Sequence, residues 1–192
     1  MDLSILAQQS NASLLSIIQE KQALIRRLSY NESLGMLNPA GLHEAIRTLP
    51  EGRYTVIFAD VDRLKVLNSA PGSHCKTNRY LAAGLARRHG EIVGQLYGDE
   101  FIYILDEQTM RDGDSPDAFI AYIARQLAGQ PLTISERYAL AAAHGCSVEQ
   151  ARLSATFSAK SEVRAGDVMD AIEWLSGDVL RLKAERDEKV TI

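Results

Sequence analysis

The sequence predicts an α+β fold built around a mostly antiparallel sheet. Strand-like and helix-like segments alternate irregularly, a hairpin pattern falls at residues 91–105, and no glycine-rich loop follows the first strong strand, which argues against a doubly wound dinucleotide fold. With 192 residues, 46% of them hydrophobic, the chain can bury a substantial core. Its net charge of -4, from 21 basic and 25 acidic residues, gives no electrostatic reason to expect a nucleic-acid or anionic-membrane surface, so any phosphate binding must be local. No apolar run approaches the ~20 residues that span a bilayer, and "MDLSILAQQSN" lacks the basic flank and cleavage site of a signal peptide. The expected compartment is the cytoplasm. Cys75 and Cys146 stand singly, without the spacing of a zinc site or a redox pair, which predicts free thiols.

Taken in order, residues 3–28 read as a helix because Leu3, Ala7, Leu14, Ile17, Leu24 and Leu28 recur in four-three steps; the stripe suits packing on the chain's own domain or a short parallel coiled coil. "SYNESLGMLNPAG" is rich in turn formers, and "GLHEAIRTL" is a helix stopped by Pro50. "RYTVIFADVD" reads as a central buried strand ending in acids. "CKTNRYLAAGLARRHG" is a helix stopped by Gly90, and "EIVGQLYGDEFIYIL" a hairpin with acids at its tip. "SPDAFIAYIARQLAG" is a helix capped by Ser115 with Pro116 in its first turn. "YALAAAHGCS" is assigned to a strand, although its alanines suit a helix equally, and "SVEQARLSATFSAKSEVRAG" to a helix. The last helix follows Gly166 with the stripe Val168, Ile172, Leu175, Val179 and Leu182. The implied organisation is an N-terminal helix over 1–29, a domain over 30–166 and a C-terminal helix over 167–192.

Two segments carry candidate chemistry. Asp60 and Asp62 are expected to diverge at the strand end, one entering a site while the other caps or pairs elsewhere. If the hairpin tip at Asp99 lies beside Asp60, two hard carboxylates converge, a set that holds Mg²⁺ loosely alone and well once substrate phosphates complete the octahedron. That arrangement predicts metal-assisted attack at phosphorus. Solvated strand-end acids are the plain alternative for either segment alone. Lys65 and Asn68 follow the strand, and Lys160 and Arg164, read as one helical turn apart, can clamp phosphates or simply form a solvated face.

These motifs, in this order, resemble the GGDEF domain, the catalytic module of bacterial diguanylate cyclases. "NESLGMLNPAGL" is similar to the family's D-x-L-T-G-L-x-N-R-R-x-L, and "FADVDRLKVLNSAPGSH" to its D-x-D-x-F-K-x-x-N-D-x-x-G-H with Ser73 as an extra residue. "YGDEF" stands for the signature, "HGC" for the S-I-G-V strand and "FSAKSEVR" for Y-x-A-K-x-x-G-R, so the likeness spans roughly residues 30–166. The resemblance implies a palm-like nucleotidyl cyclase fold with a central, mostly antiparallel five-stranded sheet flanked by helices, plus extra terminal helices. It implies condensation of two GTP molecules to cyclic di-GMP by two domains face to face. By position, Asp60, Asp99 and the carbonyl of Val61 would bind Mg²⁺ or Mn²⁺, with Glu100 beside the attacking hydroxyl. Lys65, Lys160 and Arg164 would hold phosphates, while Asn68, Asn78, Tyr97 and Gly98 would contact the nucleotide. Arg88 and Glu91 stand where a product-inhibition site for cyclic di-GMP would lie, and equally fit a surface ion pair.

The pattern is not complete. Tyr97 replaces the first signature glycine, Asn78 an aspartate that reads guanine, Gln95 an arginine, Asn31 an aspartate, Ser69 an acid and Val163 a glycine. Two functions therefore stand side by side: an active cyclase, or a degenerate GGDEF-like domain that binds a nucleotide or a protein partner without turnover. Either version is expected to act as a homodimer through its terminal helices, with no nucleic-acid or membrane partner.

Overall fold

The computed structural model describes residues 3–31, 34–71, 91–106 and 115–190. The expected helix after Cys75, with Asn78 and Arg88, lies outside them. Six described strands form one sheet: β1 (Tyr30–Asn31), β2 (Met36–Leu37), β3 (Arg53–Val61), β4 (Ile92–Gln95), β5 (Glu100–Asp106) and β6 (Ala155–Arg164), in the order β1-β2-β4-β5-β3-β6. All neighbours pair antiparallel except β2 with β4. The α+β class and the mostly antiparallel sheet are as expected; the count is six rather than five. Six described α-helices accompany the sheet: α1 (Leu3–Ser29), α2 (Pro39–Arg47), α3 (Leu64–Ser69), α4 (Pro116–Ala128), α5 (Ile134–His144) and α6 (Val168–Val190).

β3 is the spine. From Tyr54 to Val61 every residue is buried, because β5 and β6 pair with its two edges and helices cover both faces. Its alternation divides the core in two. Ile57, Ala59 and Val61 join Phe101, Tyr103 and Leu105 beneath Phe119, Ile123 and Leu127 of α4 and Leu140 of α5. Tyr54, Val56 and Phe58 join Ile102 and Ile104 beneath Leu42 and Ile46 of α2 and Val168, Ile172, Leu175 and Val179 of α6. Each such fully buried aliphatic contributes about 1.5–3 kcal/mol, so α6 spends its apolar stripe on its own sheet. The expectation that both terminal helices offer a dimer surface therefore fails for α6. The α1 stripe is different: Leu14, Ile17, Leu24 and Leu28 are all exposed.

Two assignments from sequence are reversed. Residues 138–144, expected in a strand, belong to α5, which Thr133 opens with a reciprocal capping box: the Thr133 amide donates to Glu136 Oε2 at 2.7 Å, and the Glu136 amide to Thr133 Oγ1 at 3.2 Å. Gly145, at φ 62°, closes it. Residues 155–164, expected in a helix, form β6 because the second edge of β3 needs a partner for its buried amides and carbonyls. The ladder carries one bulge: Ser161 and Glu162 together oppose Thr55, with Glu162 at φ 60° supplying the extra residue.

α2 begins where the sequence signals it, with Asn38 Oδ1 accepting from the Gly41 amide at 2.9 Å and Pro39 in the first turn. Asn38 also ties α2 to the end of α1, donating through Nδ2 to the Leu28 carbonyl at 2.7 Å. The approach is so close that a Cβ on Gly41 would collide with the Ser29 carbonyl. Gly41→Ala should lower stability by about 1–3 kcal/mol, read as an earlier urea midpoint with an unchanged slope; an unchanged midpoint would contradict this packing.

Candidate functional site

The site begins at the C-terminal end of β3. Tyr54, Val56 and Phe58 face α6, and the same period of two carries Asp60, and then Asp62, onto that side. The two acids therefore share a face, against the expectation that they diverge, since residues two apart on a strand point the same way. Their division of labour is nevertheless real. Asp62, 2% exposed, accepts from Ser154 Oγ at 2.7 Å and Thr156 Oγ1 at 2.8 Å, and pairs with Arg186 Nη1 at 2.8 Å. Burial alone would raise its pKa, but the donors from Arg186, Ser154 and Thr156 outweigh it and hold the carboxyl below the usual range. Asp62 is a clasp between β3, β6 and α6.

Asp60 is the acid that lines a cleft, of about 380 Å³, together with Val61, Lys65, Asp99, Lys183 and Arg186. The hairpin of β4 and β5 brings Asp99 there. Glu100 pairs with Asp60 across the ladder, and the Val61 amide donates to the Asp99 carbonyl at 3.1 Å, which fixes the hairpin tip against the strand end. Burial pushes the Asp60 carboxyl up, Lys183 opposes that, and the charges of Asp99 and Asp62 reinforce it. Glu100 is raised likewise, first by burial and then by Asp60 and Asp99. Acids held together against their own repulsion are the arrangement expected where a cation or a proton is to be managed.

The turn itself is braced from β1. Asn31 Nδ2 donates to Gln95 Oε1 at 3.1 Å, and Gln95 Nε2 donates to the Gly98 carbonyl at 2.5 Å. Gly98, at φ 41°, takes the left-handed step of the turn. Tyr97 is 70% exposed and faces a second cavity, beside Met169, Glu173 and Ser176, so its ring does not fill the cleft of Asp60 and Asp99.

The remaining sequence-predicted residues separate into those inside and those outside the cleft. Lys65, on α3, lines it; Asn68, on the same short helix, is half-buried and does not. Lys160 pairs with Val56 and Arg164 with Arg53, back along β3 and away from Asp60, and neither lines the cleft. Lys160 instead lies 5.5 Å from the centre of the Trp174 ring. Their reading as cations one helical turn apart fails because the segment is a strand. Glu91 sits near the buried Tyr103 hydroxyl.

Two of the cations that line the cleft with Asp60 were missed in the sequence: Lys183 and Arg186, three residues apart on α6. The signal was available, since "LKAER" puts a Lys and an Arg one turn apart beyond the core stripe of the same helix. Lys183 Nζ is 2.5 Å from Asp60 Oδ1 and 3.7 Å from Asp62 Oδ1, and it donates to the Val61 carbonyl at 3.2 Å. Asp60 Oδ1 has no other donor among the described residues. An ammonium thus stands in for a cation among hard oxygens, so the donor set suits a small divalent ion in chemistry. It is sparse, however. Among the described residues no cluster of three or more His, Cys, Asp or Glu side chains is placed to hold a metal, and a metal here would need oxygens from a ligand.

The sheet order, the flanking helices and the acidic hairpin tip beside the end of the central strand define the GGDEF-domain fold, and solved structures share it. The diguanylate cyclase SiaD of Pseudomonas aeruginosa, solved with its activator SiaC, superposes with a TM-score of 0.64 at 15% identity, covering 95% of this chain and 68% of that one. The coiled coil and GGDEF domain of DgcB from Caulobacter crescentus, bound to c-di-GMP, gives 0.61 at 13% identity, covering 96% of each. The FimX GGDEF domain of Pseudomonas aeruginosa gives 0.51 at 12%, covering 80% of this chain and 94% of that one. Neither a family model nor a curated protein matches the sequence. At such identities the likeness is one of fold.

The Asp62 clasp yields a prediction. Asp62→Ala leaves Arg186 and two hydroxyls without their acceptor and should cost about 2 kcal/mol in urea unfolding; a loss under about 0.5 kcal/mol would show the clasp to be idle. The pH dependence has a definite sign. Because the folded pKa lies below the ordinary 3.8, the stabilisation is complete above that pH and fades as the pH falls through the folded value. Asp62→Asn should therefore flatten the decline of the thermal midpoint on the acid side of pH 3.8, and a decline as steep as in the parent would refute the assignment.

Proposed function

We propose that the chain is a GGDEF-type nucleotide cyclase that condenses two GTP molecules into cyclic di-GMP, working as a homodimer in the cytoplasm. One observation carries this reading: Asp60, at the end of β3, and Asp99, at the tip of the β4 and β5 hairpin, line one cleft with Lys65, Lys183 and Arg186. Asp60, Asp99 and the Val61 carbonyl would hold Mg²⁺ or Mn²⁺. The metal's contribution when bound is to draw charge from the α-phosphate under attack by a 3′-hydroxyl. Lys65 and Lys183 orient the phosphates and stabilise the departing pyrophosphate, while Arg186, held by Asp62, adds positive charge at the cleft wall. Glu100, its carboxyl raised toward neutrality, is suited to take the proton of the attacking hydroxyl at a carboxylate oxygen. Lys160 and Arg164 have no part in this scheme. Tyr97 and Gly98 shape the turn, while Asn68 and Asn78 stay as candidates for the base.

The second reading, a domain that binds a nucleotide or protein without turnover, is favoured by the brace at Gln95. The side chain that replaces an arginine of the pattern is committed to the turn and is not free to reach a ligand. One neighbour was solved with c-di-GMP and another with an activator protein, so both a cyclic dinucleotide and a protein partner are plausible ligands here. No helix among the described residues is long and apolar enough to cross a membrane.

Purified protein incubated with GTP and Mg²⁺ should form cyclic di-GMP by chromatography, and Asp99→Ala should reduce the rate at least ~10²-fold. Tight GTP or cyclic di-GMP binding in calorimetry without product would instead support the second reading. The dimer has its own test. The exposed α1 stripe of Leu14, Ile17, Leu24 and Leu28 predicts a concentration-dependent dimer in sedimentation that Leu24→Glu dissociates; a parent protein that stays monomeric would end that proposal.

A further inference from the structure

Lys183 does more than border the cleft. Its ammonium is in contact with Asp60 Oδ1 and the Val61 carbonyl, two of the oxygens that a divalent ion would need, and it lies 3.7 Å from Asp62. An ammonium and a divalent ion cannot share those oxygens, because metal–oxygen contacts of roughly 2.1 Å would put two like charges within touching distance. We propose that Lys183 is a resident cation that keeps the Asp60 and Asp99 pair closed to free divalent ions, and that a divalent ion enters only together with a phosphate-bearing ligand, onto which the ammonium moves.

The surroundings favour a moving side chain on a fixed helix. α6 is held on both sides of Lys183: upstream Val179 is buried against the sheet, and downstream Arg186 pairs with Asp62 while Asp187 pairs with Arg63 at 2.7 Å. Lys183 itself is held through its ammonium, by Asp60, Asp62 and the Val61 carbonyl, is one-fifth exposed at the cleft wall, and carries a four-carbon stem with rotatable donors. Arg186 cannot replace it, since its guanidinium is engaged by Asp62. Lys65, exposed on α3 at the same cleft, adds positive charge where an incoming polyphosphate would lie. Such an anion draws the ammonium away from Asp60, and the freed carboxylate then accepts the divalent ion that accompanies the anion. Binding of the two is thereby positively coupled, and linkage makes the coupling equal in both directions.

This inference rests on the nucleotide-site reading for its ligand, but its first test needs no nucleotide. Free Mn²⁺, followed by electron paramagnetic resonance, is titrated into the parent, Lys183→Met and Lys160→Met, each first shown by circular dichroism and urea unfolding to be folded. Lys183→Met should bind Mn²⁺ alone at least tenfold more tightly than the parent, and Lys160→Met, an equal loss of charge outside the cleft, should match the parent. Equal affinity in the parent and Lys183→Met overturns the proposal. A second measurement uses the parent only, in case the variant fails to fold. A non-hydrolysable GTP analogue should raise Mn²⁺ uptake at least tenfold over the sum of protein and analogue measured separately, and uptake equal to that sum overturns the coupling. The two readings fail separately. Tight Mn²⁺ binding by Lys183→Met with no GTP binding by the parent removes the cyclase and leaves the closed carboxylate pair, whereas turnover with independent metal and nucleotide binding does the reverse.

Discussion

The end of the central strand meets the last helix through charge, and the site depends on that meeting. β3 presents an apolar face through Phe58 and then, without changing phase, two carboxylates. α6 presents an apolar stripe through Val179 and then, one turn later, Lys183, followed by Arg186. The apolar halves place the helix; the charged halves can then meet only across from one another. A helix rises about 6 Å over four residues and a strand about 7 Å over two, so the apolar-to-charged change falls at matching heights on both elements. Core packing and site geometry are thus set by one register.

Within that register the two aspartates have opposite electrostatic fates. Asp62 receives two hydroxyl donors and a guanidinium, which together overcome burial and keep it ionised. Asp60 receives one ammonium and two acidic neighbours, and burial prevails. Packing alone gives no reason to leave a second carboxylate in that condition, since an amide would avoid the repulsion. The asymmetry sets Asp60 apart from Asp62 and accords with the binding role proposed for it.

Much of this was legible in the sequence, for local reasons. The unbroken β-branched run of β3, the hairpin around Gly98 and the Ser115–Pro116 start of α4 each carry their signal within a few residues. The errors came where local signals were weak or outvoted. Alanine-rich residues 138–144 suit α5, but the Thr133 to Glu136 capping box that decides the matter lies upstream of them. Residues 155–164 contain Lys and Arg at helical spacing, yet the hydrogen-bonding demand of β3 overrides that spacing, and no local pattern reports such a demand. The same error hid the cleft's cations: with Lys160 and Arg164 assigned to phosphate, the end of α6 was read only for its apolar stripe. The shared face of Asp60 and Asp62 follows from strand parity alone, so the expectation that they diverge ran against a signal the sequence carries.

The signature turn shows how the site keeps its shape while losing a glycine. Among the described residues only Arg63 and Glu162, apart from glycines, have positive φ, so the backbone at Tyr97 is one that any L-residue adopts. The left-handed step falls on Gly98, which is retained. A side chain at position 97 therefore asks for space and not for an unusual backbone, and the ring finds that space in solvent, beside Glu100, Met169 and Glu173 and outside the cleft of Asp60 and Asp99. The Asn31 to Gln95 to Gly98 chain then holds the turn by hydrogen bonds from the neighbouring strand. Two departures from the family pattern, at 31 and 95, thus act as a pair, and the position of Asp99 depends on that brace as much as on the glycine beside it.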